Sequence, residues 1–428
     1  MQLSEFFANR KSGTNQYFAS PGGNGKTVLV SSHIYWTDLI GLAHLRLGYN
    51  VIFAVPWYGF WTEDAWWNDF DRQYEQWVNT IRQHKVICVI GGNTTAMVPH
   101  PRTGEPLHRA AGVPLVNYWW DQPRAMPPMA RRGISLVDYI ALMKDPRTLN
   151  VIWDVDVREE LGKFLGIVNT MHLPLATAPE LWEEPFVPLQ ERTKAACFLG
   201  NCHFLTDQQR AELEPDLTAW AQQVAKRKLS DLDRPIVQCV QDGDEATRVD
   251  TSDERALARD FRRWFIVDAM LMQGHRGDTV KALAAKLGTA FTLIGGHWDK
   301  VNLRAEKDHS GVPGAKTYYA SHQASLNLYG GCVHGGMPLR PYEIAASNGL
   351  IFTHYNRELP DLFEPGKECV AFRNESEMLD QLDRILTHPA DYNRVVGAGR
   401  RRVIQEHNWE NRMRAVMQAV GQRFGVAV

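Results

Sequence analysis

Short apolar runs alternate with helical stretches along most of the chain, and this alternation limits the possible folds more than any other feature of the sequence. The first unit runs from a predicted strand at 27–32 through a helix at 38–47 to a second strand at 51–55. Strands that alternate with helices in this way form parallel sheets covered by helices on both faces. The pattern continues with a helix at 69–84 and strands at 86–90, 113–118, 139–143 and 151–153.

The alternation is interrupted once and then starts again. Residues 173–194 contain four prolines and little periodicity, so we interpret them as a connection between two domains. A second series follows, with strands at 195–199, 291–294, 325–328 and 350–353 and helices at 206–228, 254–273, 279–287, 341–347, 375–387 and 391–406. The sequence therefore predicts an α/β protein of two Rossmann-like domains with a cleft between them.

Composition excludes several classes of protein. Apolar residues make up 44% and charged residues 22% of the chain, as in a globular protein and unlike a disordered one. No apolar run approaches the roughly 20 residues of a membrane helix, and residues 1–13 lack the apolar core of a secretory signal. The six cysteines include no CxxC pair, so neither a zinc site nor a disulfide framework is predicted, and a reducing cytoplasm is the expected location. The net charge of −2 gives no general reason to expect nucleic acid as a partner.

Two motifs look chemical but are better explained as structure. Residues 20–27 resemble a phosphate-binding loop, yet Ser20 stands where the first glycine is needed, and the strand follows the loop instead of preceding it. Asp154 and Asp156 resemble a metal-binding pair. Alternation along a strand would point both side chains toward solvent, so no metal is predicted.

The segment around Arg340 carries the most informative pattern. Two glycines, Gly335 and Gly336, precede a short loop, Arg340 and a helix that starts near Pro341 with Glu343 in its first turn. Backbone N–H groups and an arginine at a helix start favour an anion, and the carboxylate of Glu343 could accept hydrogen bonds from a ribose. The alternative is a capped helix in which Glu343 interacts with the helix dipole.

Dense motifs extend from about Tyr318 to His407. They comprise Tyr319, Ser325-Leu326-Asn327, Arg340-Pro341-Tyr342-Glu343, Ala345-Ala346, Gly349, Glu358-Leu359, Phe363-Glu364-Pro365-Gly366-Lys367-Glu368, Gly399-Arg400-Arg401-Arg402-Val403, Glu406-His407, and Trp409 to Arg412. This stretch resembles the C-terminal half of GT-B glycosyltransferases, specifically the CgeB-like (spore-maturation glycosyltransferase-like) group. Residues 291–298 resemble the strand and Gly-x-x-Trp that precede it, whereas the N-terminal half is similar mainly at 118–123.

The resemblance implies a GT-B fold, two Rossmann-like domains facing across a cleft, and a nucleotide-diphosphate-sugar donor, most simply a UDP-sugar, used without a metal. Glu343 would hold the donor ribose, Arg340 with the backbone near Gly335 and Gly336 would face the diphosphate or sugar, and Arg276 would contact a phosphate. The full predicted donor-binding set is Gly200, Asn201, Arg276, His334, Gly335, Gly336, Arg340, Tyr342 and Glu343.

One departure from the family pattern leaves the stereochemistry open. Retaining GT-B enzymes often show two glutamates seven apart, and His334-Gly335-Gly336 occupies the region of the first. An inverting reaction needs a base near the acceptor hydroxyl. Asp121 follows a predicted strand in the N-terminal half, and burial against tryptophan would raise its pKa toward a useful range. The alternatives are a turn-capping role for Asp121 and a catalytic role for His33.

The predicted division is an acceptor domain at 1–185, a donor domain at 186–405 and a C-terminal helix at 406–428 that could return to the first domain. Trp57, Trp119 and Trp120 are predicted to line the acceptor site. The predicted function is transfer of a sugar to a hydroxyl of a glycan, protein, small molecule or hydroxymethylated DNA base. The last option would use Arg124, Arg131, Arg132 and Lys144, and near-neutral charge counts against it. The alternatives are a non-catalytic sugar- or nucleotide-binding protein and a sugar-nucleotide epimerase.

Overall fold

The computed structural model describes residues 1–11, 14–31, 35–54, 70–93, 95–97, 99–100, 102–125, 134–202, 214–240, 249–306 and 312–428. The chain forms two compact units. Unit 1 comprises Met1–Trp153, Leu165–Leu173 and Trp409–Val428, and unit 2 comprises Asp154–Phe164 and Pro174–Asn408. Each unit contains its own sheet, so the predicted α/β class with two Rossmann-like halves is confirmed. No helix in the described part of the chain is long and apolar enough to cross a membrane.

Unit 1 is built on a seven-stranded sheet with the order β1-β3-β2-β4-β5-β6-β7. Its strands are β1 (Gln16–Phe18), β2 (Thr27–Ser31), β3 (Asn50–Ala54), β4 (Val86–Gly92), β5 (Leu115–Trp119), β6 (Thr148–Ile152) and β7 (Thr170–His172). Only β1 in this sheet runs antiparallel to its neighbour. The parallel strands β2, β5 and β6 are buried along their whole length, because helices cover both faces.

In the described part of the chain, helices precede these strands or lie between them in the sequence. They are α1 (Leu3–Asn9), α2 (Tyr35–Arg46), α3 (Phe70–Gln83), α4 (Leu107–Ala110), α5 (Leu136–Lys144) and α6 (Val155–Leu165). The predicted strand at 139–143 is wrong, because this segment belongs to α5. The Ser135 side chain accepts a hydrogen bond from the Asp138 N–H and caps that helix. The prediction failed because the periodicity of a short apolar run does not distinguish a strand from a helix.

Unit 2 contains a five-stranded parallel sheet with the order β12-β11-β10-β8-β9. Its strands are β8 (Lys194–Leu199), β9 (Phe291–Ile294), β10 (His322–Asn327), β11 (Ile351–His354) and β12 (Val370–Phe372). The first of these strands in the chain, β8, lies between β9 and β10, so the strand order reverses beside it. In open α/β sheets ligands bind outside the carboxyl ends of the strands at such a reversal.

The remaining helices are α7 (Pro215–Ser230), α8 (Ile236–Cys239), α9 (Glu254–Met272), α10 (Asp278–Leu287), α11 (Val312–Ser321), α12 (Arg340–Ala346), α13 (Leu359–Leu362), α14 (Glu375–Thr387), α15 (Asn393–Glu406) and α16 (Trp409–Phe424). A single π-helical turn, Gln273–Gly277, joins α9 to α10. The core of unit 2 packs Phe198 and Leu326 of its sheet against Val280 of α10 and Leu382 of α14.

The chain crosses between units at places the sequence does not mark. We predicted a single change of domain at 185–186 and a separate helix from 406. In the structure most of α6 belongs to unit 2, the chain returns to unit 1 for β7, and unit 2 resumes at Pro174. The last helix, α16, belongs to unit 1, where it packs against α2 and Arg46 forms an ion pair with Glu410 at 2.6 Å.

Candidate functional site

The loops after β8 and β9 lie against each other at the strand reversal of unit 2. The Gly296 N–H donates to the Asn201 side-chain oxygen at 2.7 Å, and the Cys202 N–H donates to the Gly296 carbonyl at 3.0 Å. Gly295 has a φ of +133°, and a Cβ there would lie 2.3 Å from the Gly200 carbonyl oxygen. This close approach requires glycine at position 295.

Arg276 reaches this edge from the π-helical turn. One guanidinium nitrogen donates to the Asn201 carbonyl at 2.6 Å and another donates to the Leu328 carbonyl at 3.0 Å. It therefore joins the ends of β8 and β10. A π-helical turn inserts an extra residue into a helix and re-aims the side chains beside it, which is why such turns are frequent at functional sites.

Arg340 approaches the same place from the start of α12. Its guanidinium carbon lies 5.5 Å from the centre of the Phe198 ring, and that of Arg276 lies 5.4 Å from the same centre. Burial and repulsion from Arg340 lower the pKa of Arg276 to about 10, so Arg276 remains charged at neutral pH. Neither arginine forms an ion pair within the described residues, and both Nε atoms are buried without an acceptor.

Glu343 lies one turn along α12 from Arg340 and is 8% exposed. Burial raises the pKa of this carboxyl group to about 7, and attraction to the Arg340 guanidinium opposes that rise. The group is therefore an acceptor whose charge changes near neutral pH. The helix ends at Ala346, and Asn348, two residues later, adopts the left-handed conformation typical of a helix end, with φ of +58°.

The structure does not place His334 among these cations, and the prediction that it contacts the donor is wrong. The residue is 2% exposed, and its two ring nitrogens contact the carboxylates of Glu160 and Asp268. The N–H groups of His334 and Gly335 both donate to Asp154. Gly336 presents its carbonyl to the Asn356 side chain. The backbone of this segment therefore already has protein partners.

Tyr342 is also a core residue instead of a ligand contact. It is fully buried, and its ring packs against Phe363 and His407 at centroid distances of 5.6 and 5.2 Å.

The Asp154 and Asp156 side chains have structural roles, but they do not face solvent as we predicted. Asp154 accepts hydrogen bonds from the first N–H groups of α6, and Asp156 pairs with Lys228 at 3.1 Å, so both side chains are buried instead of solvated.

In unit 1 the residues predicted to bind or activate the acceptor differ in burial and in their contacts. Trp119 is fully buried and donates its indole N–H to Asn150 at 3.1 Å, so the prediction that it lines an acceptor site is wrong. Trp120 is half-buried, and its ring lies 5.5 Å from that of Trp409. Asp121 is exposed and accepts a hydrogen bond from the Asn93 side chain at 3.0 Å, so the predicted burial of its carboxylate against tryptophan is wrong.

Several predicted residues fall outside the described part of the chain. These are His33, Trp57, Arg131 and Arg132. Of the other two basic residues considered for a nucleic-acid groove, Arg124 is 4% exposed and Lys144 is half-buried. The described residues therefore supply no exposed basic groove at this position.

Phe198, Glu160 and Asp268 are the site residues that the sequence analysis missed. Phe198 could have been found, because it precedes Gly200 by two residues at the end of a predicted strand. No local pattern marks Glu160 and Asp268. They lie on two helices far apart in sequence, and only folding places them on either side of His334.

Comparison with known proteins bears on the same segment. Residues 276–418 match the family model described as glycosyl transferase-like. The match covers about a third of the chain and includes Arg276, Arg340 and Glu343. The finer CgeB-like assignment stays a prediction. None of the curated proteins matches the sequence.

Solved structures are similar over nearly the whole chain at low identity. Sucrose-phosphate synthase from Thermosynechococcus elongatus has a TM-score of 0.49 and 11% identity, over 94% of this chain and 99% of that chain. Anabaena HepE in complex with UDP has a TM-score of 0.47 and 8% identity, over 92% and 99%. A glycosyltransferase from Rickettsia africae has a TM-score of 0.47 and 10% identity, over 94% and 99%.

Proposed function

We propose that this protein is a glycosyltransferase of the GT-B type, which moves a sugar from a nucleotide-diphosphate-sugar to an acceptor hydroxyl. The acceptor is a glycan, a protein, a small molecule or a hydroxymethylated base. The glycosyl transferase-like match over 276–418 supports the class of reaction. A UDP-sugar is the donor we expect. The location we propose is a reducing cytoplasm, where the six cysteines would stay free thiols, as they are in the structure.

The observation that carries this proposal is the pair of arginines at the strand reversal of unit 2. Arg276 and Arg340 hold two positive charges over one ring, without an ion pair to either within the described residues. Two guanidinium groups in this arrangement suit a diphosphate, which offers several charged oxygens to planar donors. Glu343, one turn away, would accept hydrogen bonds from the donor ribose.

The same residues supply the chemistry that the reaction requires. As the bond between the anomeric carbon and the donor phosphate breaks, negative charge builds on the leaving diphosphate. Arg276 and Arg340 would stabilise that charge without a metal, because preorganised cations cost little reorganisation during the reaction. The acceptor oxygen forms the new bond to the anomeric carbon and loses its proton to a base.

For the base we propose Asp121, with His33 as the alternative. Asp121 follows β5 at the carboxyl edge of the unit 1 sheet, beside the half-buried Trp120. Its carboxylate accepts one hydrogen bond from Asn93 and is exposed, so an acceptor hydroxyl can reach it. Trp120 would contact the acceptor, together with Trp57, for which the sequence alone predicts this role.

A thermal-shift screen of UDP-, GDP-, ADP-, CMP- and dTDP-sugars tests the donor. At 100 times Kd a bound nucleotide stabilises the protein by about 2.7 kcal/mol, which raises Tm of a domain of this size by roughly 5–10 °C. We expect Arg340→Ala and Arg276→Ala each to weaken donor binding about 10- to 100-fold, because a hydrogen bond to a charged group contributes about 1.5–3 kcal/mol. Arg401→Ala, an exposed residue of the same unit, is the matched control.

An assay of nucleoside diphosphate release then distinguishes an enzyme from a non-catalytic binding protein. A transferase should release nucleoside diphosphate slowly from the preferred donor even without acceptor, and Asp121→Asn should reduce that release or the transfer to acceptor. Binding without any release would favour a non-catalytic protein, and conversion of the donor sugar would favour an epimerase. If no nucleotide shifts Tm and Arg340→Ala changes nothing, the proposal is wrong.

A further inference from the structure

His334, which we predicted to contact the donor, instead contacts two carboxylates in this fold. We infer that His334 is a positioning residue, whose imidazolium is held between Glu160 and Asp268 and fixes the donor loop. The donor loop is the segment 328–340, which ends at Arg340. This inference rests on the proposed function, because it assigns a role in presenting Arg276 and Arg340 to a nucleotide diphosphate.

The ring is enclosed by acceptors on both sides. Its Nδ1 atom contacts a carboxylate oxygen of Glu160 on α6, and its Nε2 atom lies 2.7 Å from a carboxylate oxygen of Asp268 on α9. The side chain is fully buried and packs beside the Trp264 ring at a centroid distance of 5.7 Å. Because both partners are carboxylates, both ring nitrogens must donate, and an imidazole that donates from both nitrogens is positively charged.

The backbone of the donor loop contacts a third carboxylate, that of Asp154. The N–H groups of His334 and Gly335 donate to the Asp154 carboxylate at 2.8 and 3.2 Å. A Cβ on Gly331 would lie 1.7 Å from the Asp268 carbonyl oxygen, and one on Gly335 would lie 2.7 Å from the Asp156 carboxyl carbon. The loop therefore lies directly on the helices that supply the partners of His334.

This arrangement joins the loop to the element that carries the other cation. Asp268 lies on α9, which continues into the π-helical turn that bears Arg276. Arg276 in turn donates to the Leu328 carbonyl at the start of the loop. His334 thus fixes the middle of a segment whose two ends are Leu328, held by Arg276, and Arg340 itself. A loss of the ring contact would loosen the spacing of the two guanidinium groups.

Charge explains why a histidine suits this position. Glu160 and Asp268 contact the ring, and Asp154 accepts a hydrogen bond from the His334 N–H. On the same helix as Glu160, Asp156 pairs with Lys228 and Arg357, and Glu159 pairs with Arg357. His275 interacts electrostatically with His334 and is buried. Burial by itself lowers the pKa of His334, but attraction to Glu160 and hydrogen bonds to both carboxylates raise it well above its usual value.

The first test compares His334→Gln and wild-type protein, with UDP as the probe or, if another nucleotide gives the largest thermal shift, that nucleotide. We expect Kd of the nucleotide to rise about 10- to 100-fold, because misplacing a binding group by about 1 Å can cost about 100-fold. Ile385→Ala is the control, since it removes a fully buried core side chain of the same unit. If this control loses as much Tm and as much affinity as His334→Gln, the role is merely structural and the inference is overturned.

The second test uses Glu160→Gln, which keeps the shape of the pair and removes one charge. We expect the pKa of His334 to fall in this variant, so the ring loses its proton at high pH. Nucleotide affinity of Glu160→Gln should then begin to decline at a lower pH than that of the wild type as the pH is raised. Identical pH profiles, or normal affinity in His334→Gln, would overturn this inference alone. Failure of the wild-type protein to bind any nucleotide would instead overturn the proposed function, and this inference with it.

Discussion

At the scale of one residue, Glu343 shows how burial changes the charge state of a side chain. Its sequence context is an ordinary first helical turn, in which a glutamate usually faces solvent. In the structure the residue is 8% exposed, and burial raises the pKa of its carboxyl group to about 7 despite the nearby Arg340. A group kept in this state destabilises the fold at neutral pH, which suits a residue retained for binding.

We therefore predict that Glu343→Gln is more stable than wild type at high pH. The pKa is raised from 4.5 to about 7, so the favourable contribution is present below pH 4.5 and is lost as the pH rises through 7. The free energy of unfolding at pH 8.5 should be about 3 kcal/mol higher in the variant, since one pKa unit corresponds to about 1.4 kcal/mol. Urea unfolding at about pH 4.5 and 8.5 measures this difference, and equal pH dependence of the two proteins would contradict it.

Two adjacent tryptophans provide a second comparison at this scale. Trp119→Ala removes a fully buried ring and leaves the Asn150 side chain without its donor, so we expect a loss of about 3–5 kcal/mol in the free energy of unfolding. Trp120→Ala should cost less stability because its side chain is half-buried. If Trp120 contacts the acceptor, its variant should raise KM for acceptor and leave donor binding unchanged. Denaturant unfolding and steady-state kinetics separate the two effects.

The donor loop and the π-helical turn show how irregular elements, as well as single residues, form the site. The turn Gln273–Gly277 directs Arg276 toward the ends of β8 and β10, and the loop carries Arg340 back to the same place. Neither element is regular, and neither is specified by apolar periodicity. Their geometry depends on close backbone contacts, which glycine alone permits.

Adjacent glycines of the donor loop give a matched test of this dependence. A Cβ on Gly331 would lie 1.7 Å from the Asp268 carbonyl oxygen, whereas one on Gly330 would have its nearest contact at 3.5 Å, with Arg276. We expect Gly331→Ala to weaken nucleotide binding at least about 10-fold by displacing the loop, and Gly330→Ala to stay within about threefold of wild type. Isothermal titration with the preferred nucleotide would measure both. Equal affinities of the two variants would show that the loop tolerates displacement.

At the scale of the whole molecule, the two units share one chain that crosses between them more than once. Unit 1 is completed by α16 from the C-terminal end, and unit 2 takes most of α6 from the first half of the sequence. Within unit 1, α16 buries Met413, Val416 and Val420. These buried side chains belong to unit 1, whereas the residues proposed to bind the donor belong to unit 2.

Met413→Ala tests whether donor binding depends on the packing of α16. We expect the change to lower the free energy of unfolding of unit 1 by about 2–5 kcal/mol, because a fully buried side chain leaves a cavity. The proposed donor residues all belong to unit 2, so Kd of the nucleotide should not change. Calorimetry with and without nucleotide would detect both effects. A higher Kd of the nucleotide in the folded variant would show that donor binding depends on the packing of α16.

Much of the framework could be predicted because it depends on local patterns. Most strands of both units fall within a few residues of the predicted ones, since buried parallel strands need continuous apolar runs between turns. The segment with Arg276, Arg340 and Glu343 was also found, because those residues lie in or near recognisable motifs. Prediction failed at 139–143, where a short apolar run fits a strand and a helix equally well.

The sequence by itself determined the two α/β units, each built on a mainly parallel sheet, and the segment that carries Arg340 and Glu343. Tertiary structure alone decided which side chains face a ligand and which face the core. His334 and Tyr342 appear in the same motif as Arg340, yet both are buried, because packing brings Glu160, Asp268 and His407 against them from distant segments. Burial, charge pairing and crossings between units depend on contacts far apart in sequence, and those contacts exist only once the chain has folded.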